Sequence, residues 1–282
     1  MKKQSVHKQN NMETRLEQLP WYIFMSSIVF VLASFFLIYL VDLRNLFGSR
    51  DLLLLYFPQN PFMFLKLFAE AKLVELFQWL LLGVNALISM FISGLTYKKD
   101  RLAFLFWSVM AVAFTFMLIE DAGNPRHTIR FYIESIFVNS PGLAGTAFEA
   151  MYFTVLASIP IYAFLYCRTP VMKCIRSARY LMAGFIGYGM AAFLSFTGGR
   201  LPIRDEALYI YLGGKLRSAM LFLADDQAEL LWKQYEAALG RLPFNFYILD
   251  WIFEESIELM AAAAFCASAV AFLLHVRKKY EL

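Results

Sequence analysis

The sequence predicts an all-α polytopic membrane protein, a six-transmembrane-helix bundle with short interfacial and outer helices. Three observations predict it. The chain is 60% hydrophobic, and its mean hydropathy is +0.55. A soluble domain is usually about 45–50% apolar, so lipid must take up the excess. Six stretches reach the roughly 20 apolar residues that a helix needs to cross hydrocarbon. Lysine and arginine gather in alternate connections between those stretches, which is the charge bias of a multi-pass topology.

The spans are expected at 22–42, 74–96, 102–120, 146–166, 180–198 and 252–275. The first apolar run, Tyr22 through Val41, is too long for a signal-peptide core, and no small-residue cleavage site follows it, so it reads as a retained span. The N-terminal segment carries Lys2, Lys3, Lys8 and Arg15. The link between spans two and three is YKKDR, and the next connection on that side holds Arg168, Lys173, Arg176 and Arg179. The chain ends with Arg277, Lys278 and Lys279 before its last three residues. With six spans all of these fall on one side. The expectation is an integral protein of a bacterial-type plasma membrane with both termini cytoplasmic.

Three segments lie on the opposite side. Residues 43–73 alternate apolar runs with single charges and read as one or two short interfacial helices, broken by Pro58 and Pro61. Residues 121–145 continue the stretch EDAGNPRH that begins at Glu120, in which Asn124 and Pro125 mark a helix start that should run to about Phe137, before Asn139-Ser140-Pro141-Gly142 stops it. Residues 199–251 form an outer helical cap, with one helix weakened by Gly213-Gly214 and a second capped by Asp225 or Asp226 and ended by Gly240. The simplest partition is a single membrane domain covering 1–282.

Ionisable groups near a span are costly and therefore informative. Glu75 opens span two, Glu120 and Asp121 close span three, Glu149 opens span four, and Glu254, Glu255 and Glu258 open span six. Arg126, His127, Arg130 and Glu134 lie on the short helix after span three. On the expected topology every one of these groups sits in the outer third of the membrane or just above it. Glu75, Gln78, Asn85, Ser89 and Ser93 fall within about an 80° arc of one helix, a stripe that should face protein or water rather than lipid. Glu258 should lie about 9 Å below the start of its helix, the deepest carboxylate of the set. The helix dipole alone favours acids at N-termini, which suits Glu75, Glu149 and Glu254 without any function. Glu120 and Asp121 sit at a C-terminal end, where the dipole disfavours them, so they need a partner or a role.

Small residues form stripes at Ala183, Gly187 and Ala191 on span five and at Ala263, Ala267 and Ala271 on span six. These two spans are expected to be neighbours. Cys167, Cys174 and Cys266 show neither CxxC pairing nor an adjacent histidine at zinc spacing and read as reduced thiols. No HExxH, Gly-x-Ser-x-Gly or P-loop is present. The net charge of +4 comes without a long basic tract, so nucleic acid is not an expected partner. The lipid bilayer is the partner that the composition demands, and a membrane partner or homo-oligomer is left open.

Three functions fit. The first is an outer-facing acidic intramembrane cavity that binds or transports a cation or small polar substrate. Its candidate residues are Glu75, Glu120, Asp121, Arg126, His127, Arg130, Glu149, Glu254, Glu255 and Glu258. The second is a membrane-embedded hydrolase or transferase for a lipid-linked substrate. It would use a divalent cation on some of Glu120, Asp121, His127 and Glu258, since carboxylates suit Mg²⁺ or Ca²⁺ and an added histidine suits Zn²⁺. The third is a non-catalytic subunit of a membrane complex, its acids serving as partner contacts.

Overall fold

The computed structural model describes residues 2–58, 62–137, 141–198, 202–203, 206–239 and 244–280. Among them, six helices are long and apolar enough to cross a membrane: Arg15–Leu43, Met63–Thr96, Arg101–Gly123, Gly142–Cys167, Ile175–Thr197 and Asn245–Tyr280. They correspond one to one with the expected spans, and the protein is an integral membrane protein. The principal helices are α1 (Lys2–Ile38), α2 (Ser49–Tyr56), α3 (Met63–Phe68), α4 (Leu73–Thr96), α5 (Arg101–Gly123), α6 (Pro125–Ile136) and α7 (Pro141–Cys167). They continue with α8 (Thr169–Lys173), α9 (Ile175–Gly198), α10 (Leu208–Phe222), α11 (Asp226–Leu239), α12 (Phe244–Tyr247) and α13 (Glu255–Tyr280). A two-residue antiparallel pair joins Pro202–Ile203 to Glu206–Ala207. The expected breaks at Pro61, at Asn139-Ser140 and at Gly240 lie outside the described residues.

The chain forms two compact units. The first comprises Met1–Ser26, Gln78–Ile186 and Met260–Leu282. At its core is α13, buried without interruption from Ala261 to Phe272. A helix that is apolar all round must be covered on every side, and several helices supply the cover. Asn85 of α4 donates Nδ2–H to the Ala262 carbonyl at 2.9 Å. Trp107 and Phe114 of α5 pack on Phe272 and Phe265, with ring centroids 5.4 and 5.2 Å apart. Ser177 of α9 and Ser268 of α13 each donate to the other's backbone carbonyl, at 3.0 and 2.9 Å.

Spans five and six are thus neighbours, as expected, but along a different line. Ala183 is exposed. The contact face of α9 in this unit runs through Ser177, Leu181 and Gly184, one residue away in register, and a Cβ at Gly184 would stand 2.5 Å from the Phe265 ring. The stripe motif marks residues that permit close approach. A hydrogen-bonding serine and the shape of Phe265 choose which of two adjacent faces is used.

The YKKDR link starts α5 with Asp100, whose carboxylate accepts the Ala103 N–H at 3.1 Å. Asn124 closes α5 in the left-handed conformation, its N–H bonded to the Glu120 carbonyl at 2.8 Å, and Pro125 then opens α6. The reversal lays α6 against α7.

The second unit comprises Ser27–Phe77 and Gly187–Leu259. Its core includes Phe62, Phe64, Leu65 and Phe68 around α3, Tyr209 of α10, Ala228 and Trp232 of α11, and Ile248, Leu249 and Ile252. Although α3 was expected at the interface, most of its side chains are buried in this unit. The cause is Asp42, a fully buried carboxylate that accepts the Met63 and Phe64 N–H groups at 2.7 and 2.9 Å. It caps the helix from elsewhere in the chain and holds it inward. Helix α11 is capped by Asp225, which accepts the Ala228 N–H at 2.9 Å. Ile248–Glu254 is a π-helical segment leading into α13.

Candidate functional site

The candidate residues divide between the units. Glu120, Asp121, Arg126, His127, Arg130 and Glu149 belong to the first, and Glu75, Glu254, Glu255 and Glu258 to the second.

In the first unit a polar centre forms where α5 ends, α6 turns back and α7 begins. Arg126 Nε lies 3.2 Å from Glu120 Oε1, but its N–H is not aligned on that oxygen, so the contact is between charges. The Tyr152 hydroxyl donates to the other Glu120 oxygen. The Arg126 guanidinium also covers the Phe153 ring at 4.7 Å and approaches His127 Nε2 to 3.1 Å. Arginine can only donate, so that contact requires a neutral imidazole with the proton on Nδ1. Asp121 accepts from Gln78 Nε2 at 2.8 Å. Arg130 bridges two elements, donating Nε–H to Glu134 at 2.7 Å and Nη1–H to the buried Glu149 at 3.0 Å. Arg130 and Glu134 stand four residues apart, the spacing at which opposite charges meet on one helix face. Glu120 and Asp121, which the dipole disfavours, thus receive the partners their position demands. Together these contacts join α6 to the ends of α5 and α7.

The stripe on α4 is buried throughout. Glu75 and Ser93 are 8% and 7% exposed, and Gln78, Asn85 and Ser89 are fully buried. Glu75 accepts the Ala71 N–H just ahead of its own helix, the local capping role that the dipole argument anticipated.

The second unit holds a different kind of centre. Glu254, at the last position of the π-helical segment, is 8% exposed. The Tyr209 hydroxyl of α10 donates to it, and Ser195 lies near it. Asp250 and Glu258 are close enough to act on it electrostatically. Glu254 makes no ion pair with lysine or arginine among the described residues. Tyr209 is itself almost wholly buried. Burial, and then the negative charge of the Glu254 carboxylate, push its phenol well above the usual range. It is therefore a fixed hydrogen-bond donor. Glu255 and Glu258 lie half-buried on the first turn of α13.

Among the described residues no three His, Cys, Asp or Glu side chains converge as a metal-ligating set. Glu120, Asp121 and His127 are engaged by Arg126, Tyr152 and Gln78 instead.

Several residues escaped the sequence reading: Tyr152, Tyr209, Ser195 and Asp250 beside the candidate acids, and the buried Asp42. Apolar runs surround the tyrosines, and nothing in their local pattern separates them from ordinary core aromatics. Asp42 had a legible signal, since it is a lone acid at the end of an apolar run.

Comparison with protein-family models, curated proteins and solved structures finds no match to this chain.

Proposed function

We propose that the protein binds a cation, a proton or a small cationic group, at the Glu254 centre and transports it across the membrane. The observation that carries this reading is the company Glu254 keeps. The Tyr209 hydroxyl donates to it and Ser195 lies nearby, while the nearby charges are those of Asp250 and Glu258. A buried carboxylate needs compensation for its charge. Hydroxyls supply hydrogen bonds but no charge, so neutralisation falls to a proton or a bound cation.

The centre in the first unit is of a different kind, because Arg126 and Arg130 form ion pairs there with Glu120, Glu134 and Glu149. Two further features support the reading. A π-helical turn within an α-helix is a frequent mark of functional sites, and here Glu254 ends such a segment. The lysines and arginines cluster at the opposite end of α13, at Arg277, Lys278 and Lys279. By the charge bias, the Glu254 centre then faces the outer side.

Thermal unfolding of the purified chain, followed against sodium concentration and against pH, tests the binding. The flux of protons or sodium into vesicles carrying the protein tests the movement. The wild-type chain should respond to one of the two ions in both assays, and Glu254→Gln should remove the response. A substituted chain that behaves like wild type in both would sink the proposal.

A further inference from the structure

A cavity of about 190 Å³ opens in the first unit where α4 and α13 end and where α5 and α8 begin. It is remote in sequence from every candidate residue above. Its floor is apolar and buried: Ala103, Phe272 and Val276 are 1%, 2% and 2% exposed. The rim is basic and exposed, with Lys173 on α8 and His275 and Lys279 on the last turns of α13.

These rim groups are weakly committed. Among the described residues Lys173 and His275 have no hydrogen bond or ion pair. Lys279 Nζ stands 3.9 Å from Asp100, beyond hydrogen-bond range, and Asp100 is already occupied in capping α5. Among the described residues the rim thus carries two ammonium groups against one carboxylate, with an imidazole beside them.

The level of the cavity is marked by its neighbours. Tyr97 and Tyr166 are exposed, at 61% and 68%, beside the ends of α4 and α7. The Lys99 ammonium lies over the Tyr280 ring at 4.5 Å. Exposed tyrosines and basic residues at helix ends are the signature of the headgroup layer. An apolar floor under a basic rim at that depth matches the junction of a lipid's acyl chains with its phosphate.

We propose that this cavity holds the phosphodiester headgroup of an anionic phospholipid. Its single negative charge balances the one uncompensated ammonium, and its glycerol end meets the apolar floor. A zwitterionic lipid brings a cationic group that the basic rim repels.

The test is native mass spectrometry of the full chain in detergent with added phosphatidylglycerol, phosphatidylcholine or inorganic phosphate alone. Phosphatidylglycerol should be retained in preference to phosphatidylcholine. Retention should fall about thirtyfold in the Lys173→Ala/Lys279→Ala double variant, at the usual contribution of about fivefold for each basic residue near an anionic surface. Lys233→Ala, which removes a 63% exposed lysine of α11, should leave retention unchanged and so excludes a general charge effect. Equal retention of the two lipids, or undiminished retention in the double variant, would overturn the proposal. Displacement of phosphatidylglycerol by inorganic phosphate alone would overturn the lipid assignment in favour of a free anion.

Discussion

Arg50 and Asp225 grip each other through two parallel hydrogen bonds, each 3.0 Å long, across 175 residues of sequence. The Arg50 side chain is 1% exposed, and its Nη1 also donates to the Asp42 carbonyl at 3.1 Å. Asp225 returns a backbone bond from its N–H to the Leu43 carbonyl at 2.7 Å. The loop after α1, the start of α2 and the start of α11 are tied in one knot, beside the Asp42 carboxylate that caps α3. A bidentate arginine–carboxylate pair is among the stronger polar contacts available.

Removing one side of that pair should be costly. Arg50→Met should lower stability by about 3 kcal/mol, because it leaves Asp225 and the Asp42 carbonyl without their donor. Asp225→Asn keeps an oxygen for the α11 cap and should lose only about 1–2 kcal/mol. An SDS-denaturation series on the two variants should give this order, and the reverse order would mean that leaving the buried Arg50 guanidinium without its carboxylate costs more than removing it.

Tyr209 gives the second unit a pH dependence with a definite sign. Its phenol is held above the ordinary tyrosine range by burial and by Glu254. The folded state therefore keeps this proton at a pH where the unfolded chain gives it up, and stability falls as pH rises past the unfolded value of about 10. Below that value the contribution is fully present. Tyr209→Phe should flatten the alkaline loss of thermal stability relative to wild type. It should also cost about 1–3 kcal/mol at neutral pH, since Glu254 loses a donor.

Adjacent glycines in α10 should behave differently. A Cβ at Gly213 would stand 1.7 Å from the backbone carbonyl oxygen of Asn245, whereas at Gly214 its nearest neighbour is the Asn245 side-chain amide at 3.3 Å. Backbone cannot move aside as a side chain can. Gly213→Ala should destabilise by about 1–3 kcal/mol or block folding. Gly214→Ala should lie near neutral, because the gain in helix propensity offsets a small shift of Asn245. Expression level and unfolding temperature of the two variants check this.

Arg130 serves two carboxylates with separate nitrogens. Arg130→Lys should retain the charge but lose the fork, since one ammonium cannot reproduce that geometry on both acids. Its expected cost is about 1 kcal/mol. A double-mutant cycle of Arg130→Ala with Glu149→Gln should show coupling above about 0.5 kcal/mol. Coupling indistinguishable from zero would reduce the pair to a solvent-screened contact of the kind worth little.

The sequence by itself determined the six spans, the buried face of α4 and the ends of several helices. Each of these is a local property. Hydrophobicity sums over about 20 neighbouring residues, the polar stripe repeats with the helical period, and a cap such as Asp225 acts within three residues of itself. Local pattern also anticipated that spans five and six touch, but it chose Ala183 where packing uses Gly184. Two adjacent faces both carried small residues, and only the Phe265 ring and the Ser177–Ser268 bonds distinguish them.

Tertiary structure alone decided which acids receive which partners. It gave Glu120 and Glu149 to Arg126 and Arg130, left Glu254 to the hydroxyl of Tyr209, drew α3 inward on Asp42, and joined Arg50 to Asp225. A carboxylate reads the same in sequence whether an arginine or a tyrosine will face it. Its partner depends on which helices become neighbours and how each is turned, and both are set by packing over the whole chain.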